Sequence, residues 1–333
     1  MILGCADKAL SADEIAFYRA ERPWGFILFA RNIGDPNQVR DLVASMRDSV
    51  GRRDAPVFID QEGGRVQRLR PPIAPNYPAG GALGALYRTD RDIGVRAAWL
   101  LSRLHAFDLA RLGITADCLP VLDIPVAGSS DVIGARAYGA DADTVAEMGH
   151  AAATGLMAGG VLPVMKHIPG HGRALVDTHF ELPVVDTPLD QLEAQDFAPF
   201  KAMNYLPMAM TAHVIYSAID PAAPATTSAK VIQRAIREAI GFDGLLMSDD
   251  TSMKALKGDF RDKAESILGA GCDMVLHCNG VMEEMVGIAS GTGPLTGTGL
   301  GRANRALAYI KVIDDADEAD IRSEFAQYFD AVA

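Results

Sequence analysis

Short apolar runs rich in β-branched and large aliphatic residues punctuate this chain, and between most of them lie stretches with charges on one helical face. The runs are MIL (1–3), FILFARN (26–32), PVFIDQE (56–62), TADCLPVLDI (115–124), VLPVMKH (161–167), MAMTAHVIY (208–216), GLLMSDD (244–250) and DMVLHCN (273–279). A strand buried on both faces is apolar throughout, and parallel neighbours need long crossovers. Continuous runs alternating with helix-like segments therefore predict an α/β fold with a parallel sheet. PNQVRDLVASMRDSV, DADTVAEMGHAAATGLMAGG and SAKVIQRAIREAIG supply helices, the last two running into glycine stops. Six runs end in a polar or charged cluster: ARN, DQE, LDI, KH, AHV and SDD. In a (β/α)₈ barrel such strand ends line one common mouth, whereas a doubly wound sheet gathers them at its switch point. The pattern predicts the barrel, as a single domain over residues 1–333. The Gly/Thr-rich SGTGPLTGTGLGR (290–302) is expected to be a surface loop before a final helix; it lacks the GK[ST] ending and the strand context of a phosphate loop.

Composition narrows the partners. With 31 Lys+Arg against 43 Asp+Glu, the 333-residue chain carries a formal charge of −12, which repels nucleic acid and anionic membranes. No run approaches the ~20 apolar residues of a membrane span, and the N-terminal MILGCADKALSADEIAF turns polar too soon for a secretory signal. Cys5, Cys118, Cys272 and Cys278 are scattered without a CxxC pair, as reduced core thiols are. These features together point to the cytoplasm.

Candidate chemistry concentrates in three places. FIDQEGGRVQRL follows a strand with two acids, a Gly-Gly turn that lets the backbone approach a ligand, and Arg65 and Arg68. MSDDTSM puts Asp249 and Asp250 at a strand end, where alternation sends one side chain into the mouth and the other away; Asp250 or Ser252 also suits an N-cap of the next helix. KHIPGHGRALVDTH packs three of the seven histidines into fourteen residues. In it, Asp177 and His179 stand at i and i+2, facing the same side of an extended backbone, so the carboxylate can fix the imidazole tautomer and favour its protonated form. A metal site built from His167, His171, His179 and Asp177 is the rival reading. The absence of HExxH and the charge of Lys166 beside His167 weigh against it.

IDQEGGRVQR, GARAYG, KHIPGHG, DTH, AHVIY and SDDTSM, in this order, make the chain resemble the β-N-acetylglucosaminidases of glycoside hydrolase family three, the bacterial enzymes of cell-wall recycling. The resemblance runs from GFILFARN to GCDMVLHCN. It implies a (β/α)₈ barrel and a retaining double displacement that releases terminal β-linked N-acetylglucosamine, without cofactor or metal. The expected substrate is a small N-acetylglucosaminyl-anhydromuramyl saccharide or peptide. It further implies Asp249 as nucleophile, His179 as acid/base on a mobile loop (170–182) with Asp177 as its partner, and sugar-binding positions at Asp60, Arg68, Arg136, Lys166 and His167. Lys166, His167, Arg136 and Asp60 are expected to converge from three strand ends. Retaining glycosidases normally pair two carboxylic acids, so an Asp/His arrangement departs from the rule, although an imidazole titrates close to working pH. Ile168, Thr251 and Arg173 stand where the commonest family pattern has other residues. Three alternatives stay open: a β-glucosidase or broad exoglycosidase of the same family, many of which carry a second domain that this length leaves no room for; a metal-dependent barrel hydrolase; and a non-catalytic sugar-binding barrel. Glu62 is the reserve proton donor.

Overall fold

All eight apolar runs become strands, and all eight strands are parallel and close on themselves. In the computed structural model, which describes residues 1–176, 182–311 and 313–329, the barrel strands are β1 (Ile2–Leu3), β2 (Gly25–Leu28), β3 (Val57–Ile59), β4 (Ala116–Asp117), β5 (Leu162–Ile168), β6 (Met208–Thr211), β7 (Leu245–Asp250) and β8 (Met274–His277). Each strand pairs with its sequence neighbours, and β8 returns to β1 through Ile2↔Leu276 and Leu3↔His277. Strand alternation explains why the runs are apolar throughout. Ile27, Phe58, Val164, Met208, Met247 and Leu276 fill the barrel, while Phe26, Leu28, Val57, Met165, Leu246 and Val275 pack outward against the helices.

The helices start and stop where local chemistry allows. Pro36–Val50 is capped by Asp35, whose carboxylate accepts the amides of Asn37 and Gln38, and it ends at Gly51 with φ +64°. Ala142–Ala158 begins under Asp141 and ends at Gly159. One expectation is corrected: only the first part of 290–302 is a loop, because Gly297–Ala308 is helical. Ala303 and Ala306 are buried against the barrel interior set, their small side chains letting the helix lie close, and Arg302 ties it to Asp243 (2.7 Å) and Asp273 (3.1 Å). A further helix, Glu318–Ala326, docks on Arg91–Ala110 through Ile321, Phe325 and the Arg322–Asp108 pair at 2.8 Å. The polar tails of the runs all emerge at the C-terminal end of the barrel.

Candidate active site

Two strand ends are irregular, and both irregularities serve the mouth. The β5–β6 ladder slips between Lys166 and Ile168, and the β7–β8 ladder slips between Met247 and Asp250. In a regular strand consecutive side chains face opposite ways. Here Lys166 and His167 both line one cavity, as do Asp249 and Asp250, although the Asp250 carboxylate does not stand free in it. Nor does Asp250 cap a helix: its carboxylate takes the amides of Ser252 (3.0 Å) and Cys278 (3.1 Å), and the next helix begins at Phe260 under Asp259. The cavity, about 280 Å³, is also lined by Phe29, Asp60, Arg65, Arg68, Arg136, His171, Met210 and Met253.

One wall is a closed ion-pair network. Lys166, only 2% exposed, places Nζ 2.9 Å from Asp60 and 2.6 Å from Glu62. Arg68 reaches the other oxygen of Asp60 at 2.8 Å, and Arg136 grips Glu62 with two nitrogens at 2.7 and 2.8 Å. Burial alone raises a carboxyl and lowers an ammonium. Here the opposite charges win: Lys166 and Arg68 hold Asp60 well below the usual carboxylate range, and Arg136 and Lys166 hold Glu62 at about 2. Lys166 is correspondingly raised by Asp60 and Glu62 against its own burial. Beside it, His167 Nδ1 lies 2.7 Å from Asp123, whose other oxygen accepts the backbone amides of His167 (3.1 Å) and His171 (2.6 Å). Against burial, His167 then His171 bring Asp123 down to about 2.

The opposite wall carries Asp249. Its Oδ1 accepts the Asp250 amide at 2.8 Å, and among the described residues no cation forms an ion pair with it. Burial pushes its carboxyl up, but His213, His167, that amide and Lys166 together hold it below the ordinary value, so it is a carboxylate near neutrality. Fully buried His213 braces the strand end: Nε2 donates to the Asp250 carbonyl (3.0 Å), so Nδ1 accepts from the Thr226 hydroxyl (2.7 Å). Two groups lining the cavity have no protein partner among the described residues, Arg68 Nε and His171 Nδ1. Burial, then His167, lowers His171 to about 4.

The structure thus brings together Asp60, Arg68, Arg136, Lys166, His167 and Asp249. Arg136 comes from a 3₁₀ turn, Gly134–Arg136, so that group converges from two strand ends and a loop rather than from three strands. Asp177 and His179 lie outside the described residues. The start of their loop is firmly placed: Ala174 and His171 are buried, Tyr216 donates to the Gly170 carbonyl, and a Cβ on Gly172 would meet the Ile124 carbonyl at 1.9 Å. Arg173 completes the anchor, bonding Asp196 and Gln195 at 2.7 Å each. The Gly-Gly turn of DQEGG also differs from expectation. A Cβ on Gly63 would meet the Pro78 carbonyl at 2.1 Å, so the glycines admit the protein's own backbone, not a ligand. Residues the motifs did not assign are Glu62 as a structural acid, Asp123, His213 and Asp117. The first three sit in the polar strand-end clusters that point to the mouth. Asp117 lies mid-run and carried no such signal. Among the described residues no group of three His, Cys, Asp or Glu is arranged to hold a metal ion.

The model of the glycosyl hydrolase family 3 N terminal domain matches residues 21–295, the segment that holds seven of the eight strands and every group lining the cavity. The chain belongs to glycosyl hydrolase family 3. Its relatives in this family include a beta-hexosaminidase of Nitrosomonas eutropha, 40% identical over 261 residues (77% of this chain and 73% of the relative). A beta-hexosaminidase of Xylella fastidiosa is 33% identical over 338 residues (99% and 98%). Among solved structures, NagZ from Neisseria gonorrhoeae in complex with N-trifluoroacetyl-D-glucosamine superposes with a TM-score of 0.85 at 30% identity, covering 99% of this chain and 95% of that one.

Proposed function

We propose that this family 3 protein is a retaining exo-β-N-acetylglucosaminidase that acts on N-acetylglucosaminyl-anhydromuramyl fragments of the cell wall. Asp249 carries the reading. Among the described residues it lines the cavity as a carboxylate held ionised with neither an ion pair nor a side-chain hydrogen bond, whereas Asp60 is ion-paired and Asp250 is bonded to Ser252, and a carboxylate so placed meets the condition of a nucleophile. In the first step its oxygen bonds to the anomeric carbon while the bond to the leaving oxygen breaks and that oxygen takes a proton. In the second, water gives up a proton and displaces the carboxylate. We assign the proton transfers to His179, oriented by Asp177. The reserve donor Glu62 does not suit the task, because a carboxyl held at about 2 by Arg136 and Lys166 has no proton to give near neutrality.

Asp60, Arg68, Arg136, Lys166 and His167 then form the sugar-gripping wall. The amino-sugar preference is supported by the beta-hexosaminidase relatives and by the N-acyl glucosamine bound to the gonococcal neighbour. We read residues 1–333 as one barrel domain working in the cytoplasm without cofactor; no helix among the described residues is long and apolar enough to cross a membrane. The test is turnover of matched aryl β-N-acetylglucosaminide and β-glucoside with chelator present. A site that pairs substrate polar groups rejects analogues that leave its own groups unpaired, so the N-acetyl sugar should be strongly preferred. Comparable kcat/KM would turn the reading to a broad exoglycosidase, and loss of activity in chelator would turn it to a metal-dependent hydrolase.

A further inference from the structure

Behind the sugar-gripping wall, on the side away from the cavity, lies a second polar cluster that the reaction does not use. Asp117 of β4 and His105 of helix Arg91–Ala110 are both 0% exposed. Asp117 Oδ1 accepts the backbone amide of Gln61 at 2.9 Å. Among the described residues its Oδ2 has no hydrogen-bond partner, and neither ring nitrogen of His105 has one. Oδ2 and His105 Nδ1 face each other at 4.0 Å, with the Tyr77 ring set edge-on against the imidazole at 4.8 Å. Buried polar atoms are rarely left orphaned, because each costs the desolvation that water would have relieved. At 4.0 Å the two orphans stand just beyond hydrogen-bond reach, close enough to meet on a small shift when one carries a proton for the other.

Gln61 is the middle of the segment that matters. Asp60 and Glu62 flank it, and their carboxylates hold Lys166, Arg68 and Arg136. The Gln61 side chain is itself locked, Oε1 accepting the amides of Arg68 (3.1 Å) and Leu69 (3.0 Å). Asp117 therefore stands one hydrogen bond from both sugar-wall acids. The charged groups facing it are Lys166, Asp60 and Glu62. Two carboxylates already meet three cations in that wall. A third negative charge here would draw Lys166 and repel Asp60 and Glu62.

We propose, building on the hexosaminidase reading, that Asp117 is a positioning residue that acts as an uncharged carboxylic acid. Its carbonyl oxygen holds the Gln61 amide and its hydroxyl is offered to His105 Nδ1. The pair fixes Asp60 and Glu62 in place without adding charge to the wall that grips the sugar. The alternative, an ion pair of carboxylate and imidazolium, would leave two fully buried charges 4.0 Å apart with one backbone hydrogen bond between them, and the support that Glu62 gives an imidazolium is outweighed by its burial. Burial acts the same way on both partners, driving the Asp117 carboxyl well above its usual range and the His105 imidazole down to about 3, each toward its neutral form.

The experiment compares the full-length protein with Asp117→Asn and Asp117→Ala, measuring kcat and KM against pH on an aryl β-N-acetylglucosaminide, alongside isotope-edited infrared spectra of the carboxyl groups. Asparagine keeps the shape, the neutral charge and the carbonyl acceptor, so kcat/KM should stay within about twofold and the pH profile should not move. Alanine frees the Gln61 amide and should raise KM about tenfold with kcat little changed, the worth of one buried hydrogen bond. The infrared band of a protonated carboxyl should be present at pH 7 and missing from Asp117→Asn. An asparagine variant as impaired as alanine, an alanine variant equal to the parent, or an ionised Asp117 at pH 7 would overturn the proposal. Should the parent protein fail to turn over the aminoglycoside at all, the activity reading fails, and the infrared spectra still decide the state of Asp117.

Discussion

The two walls of the cavity treat their charges in opposite ways. On the β3–β5 side Asp60, Glu62, Lys166, Arg68 and Arg136 meet within 3 Å in a closed network, and Asp123 is saturated by His167 and two backbone amides. On the β6–β8 side Asp249 keeps one amide and no ion pair among the described residues, and its neighbours His213, Thr226 and Ser252 are spent on bracing Asp250 and the strand end rather than on Asp249 itself. A binding wall benefits from charges that are already paired with one another, because its groups are held still and need no rearrangement when a neutral sugar arrives. A nucleophile benefits from the reverse. It must be ionised without being engaged, and Asp249 reaches that state through the field of groups that do not touch its second oxygen.

That contrast can be broken in graded ways. The greatest loss should follow Asp249→Asn, lowering kcat by at least about 10⁴-fold. The melting temperature should hardly move, since no ion pair is lost; a large drop in Tm would mean that Asp249 is part of the scaffold. Next comes His179→Ala. Because general acid help is worth roughly 10²–10⁴-fold, turnover of substrates with alkoxide leaving groups should fall far more than that of nitrophenyl glycosides. Equal losses on both would assign His179 to binding or structure. On the other wall, Lys166→Met should strand Asp60 and Glu62 as uncompensated buried charges. Breaking such a pair costs about 3–5 kcal/mol, readable by chemical denaturation, and sugar binding should weaken as well. A stability change under 1 kcal/mol would show that the network is held by something other than Lys166.

Acid should attack the same wall selectively. Glu62 and Asp123 are held at about 2 in the fold, and Asp60 also lies well below its ordinary value, against about 4 for unfolded carboxyls. Depressed groups contribute stability that is complete above the unfolded value and disappears as pH falls through the folded one. Denaturation free energy should therefore decline between about pH 4.5 and pH 2, and Asp123→Asn should make the decline shallower. The smallest effect is expected from Arg173→Met combined with Asp196→Asn. The double change removes the anchor of the 170–174 segment without leaving a charge behind, and the result should be a loss of a few-fold in turnover of unactivated substrates with KM unchanged.

How much of this was legible in the chain depends on the scale at which the physics is local. Each strand was visible because burial on both faces demands an unbroken apolar run, and Phe26 with Ile27, facing helices and barrel interior in turn, shows why no alternation appears. The mouth was visible because FIDQE and MSDD end in charge where the apolar run stops. Pairing across the mouth was not. Nothing in the spacing of Glu62, Arg136 and Lys166, which lie 74 and 30 residues apart in turn, says that they meet, because long-range contacts depend on barrel closure. The register of consecutive residues also escaped: the ladder slips between Met247 and Asp250, an event the side-chain pattern does not record. Gly63 misled for a similar reason, since the backbone it makes room for, at Pro78, is brought in by a separate loop.

The central claim is that Asp249 is the free carboxylate that bonds to the sugar. Incubation with a 5-fluoro N-acetylglucosaminide bearing a good leaving group, followed by rapid acid quench, proteolysis and peptide mass spectrometry, tests it most directly. The label should sit on Asp249, be absent from the Asp249→Asn protein, and be released as turnover resumes. A label on Asp250 or Glu62, or steady turnover through an intermediate never bonded to the protein, would contradict it.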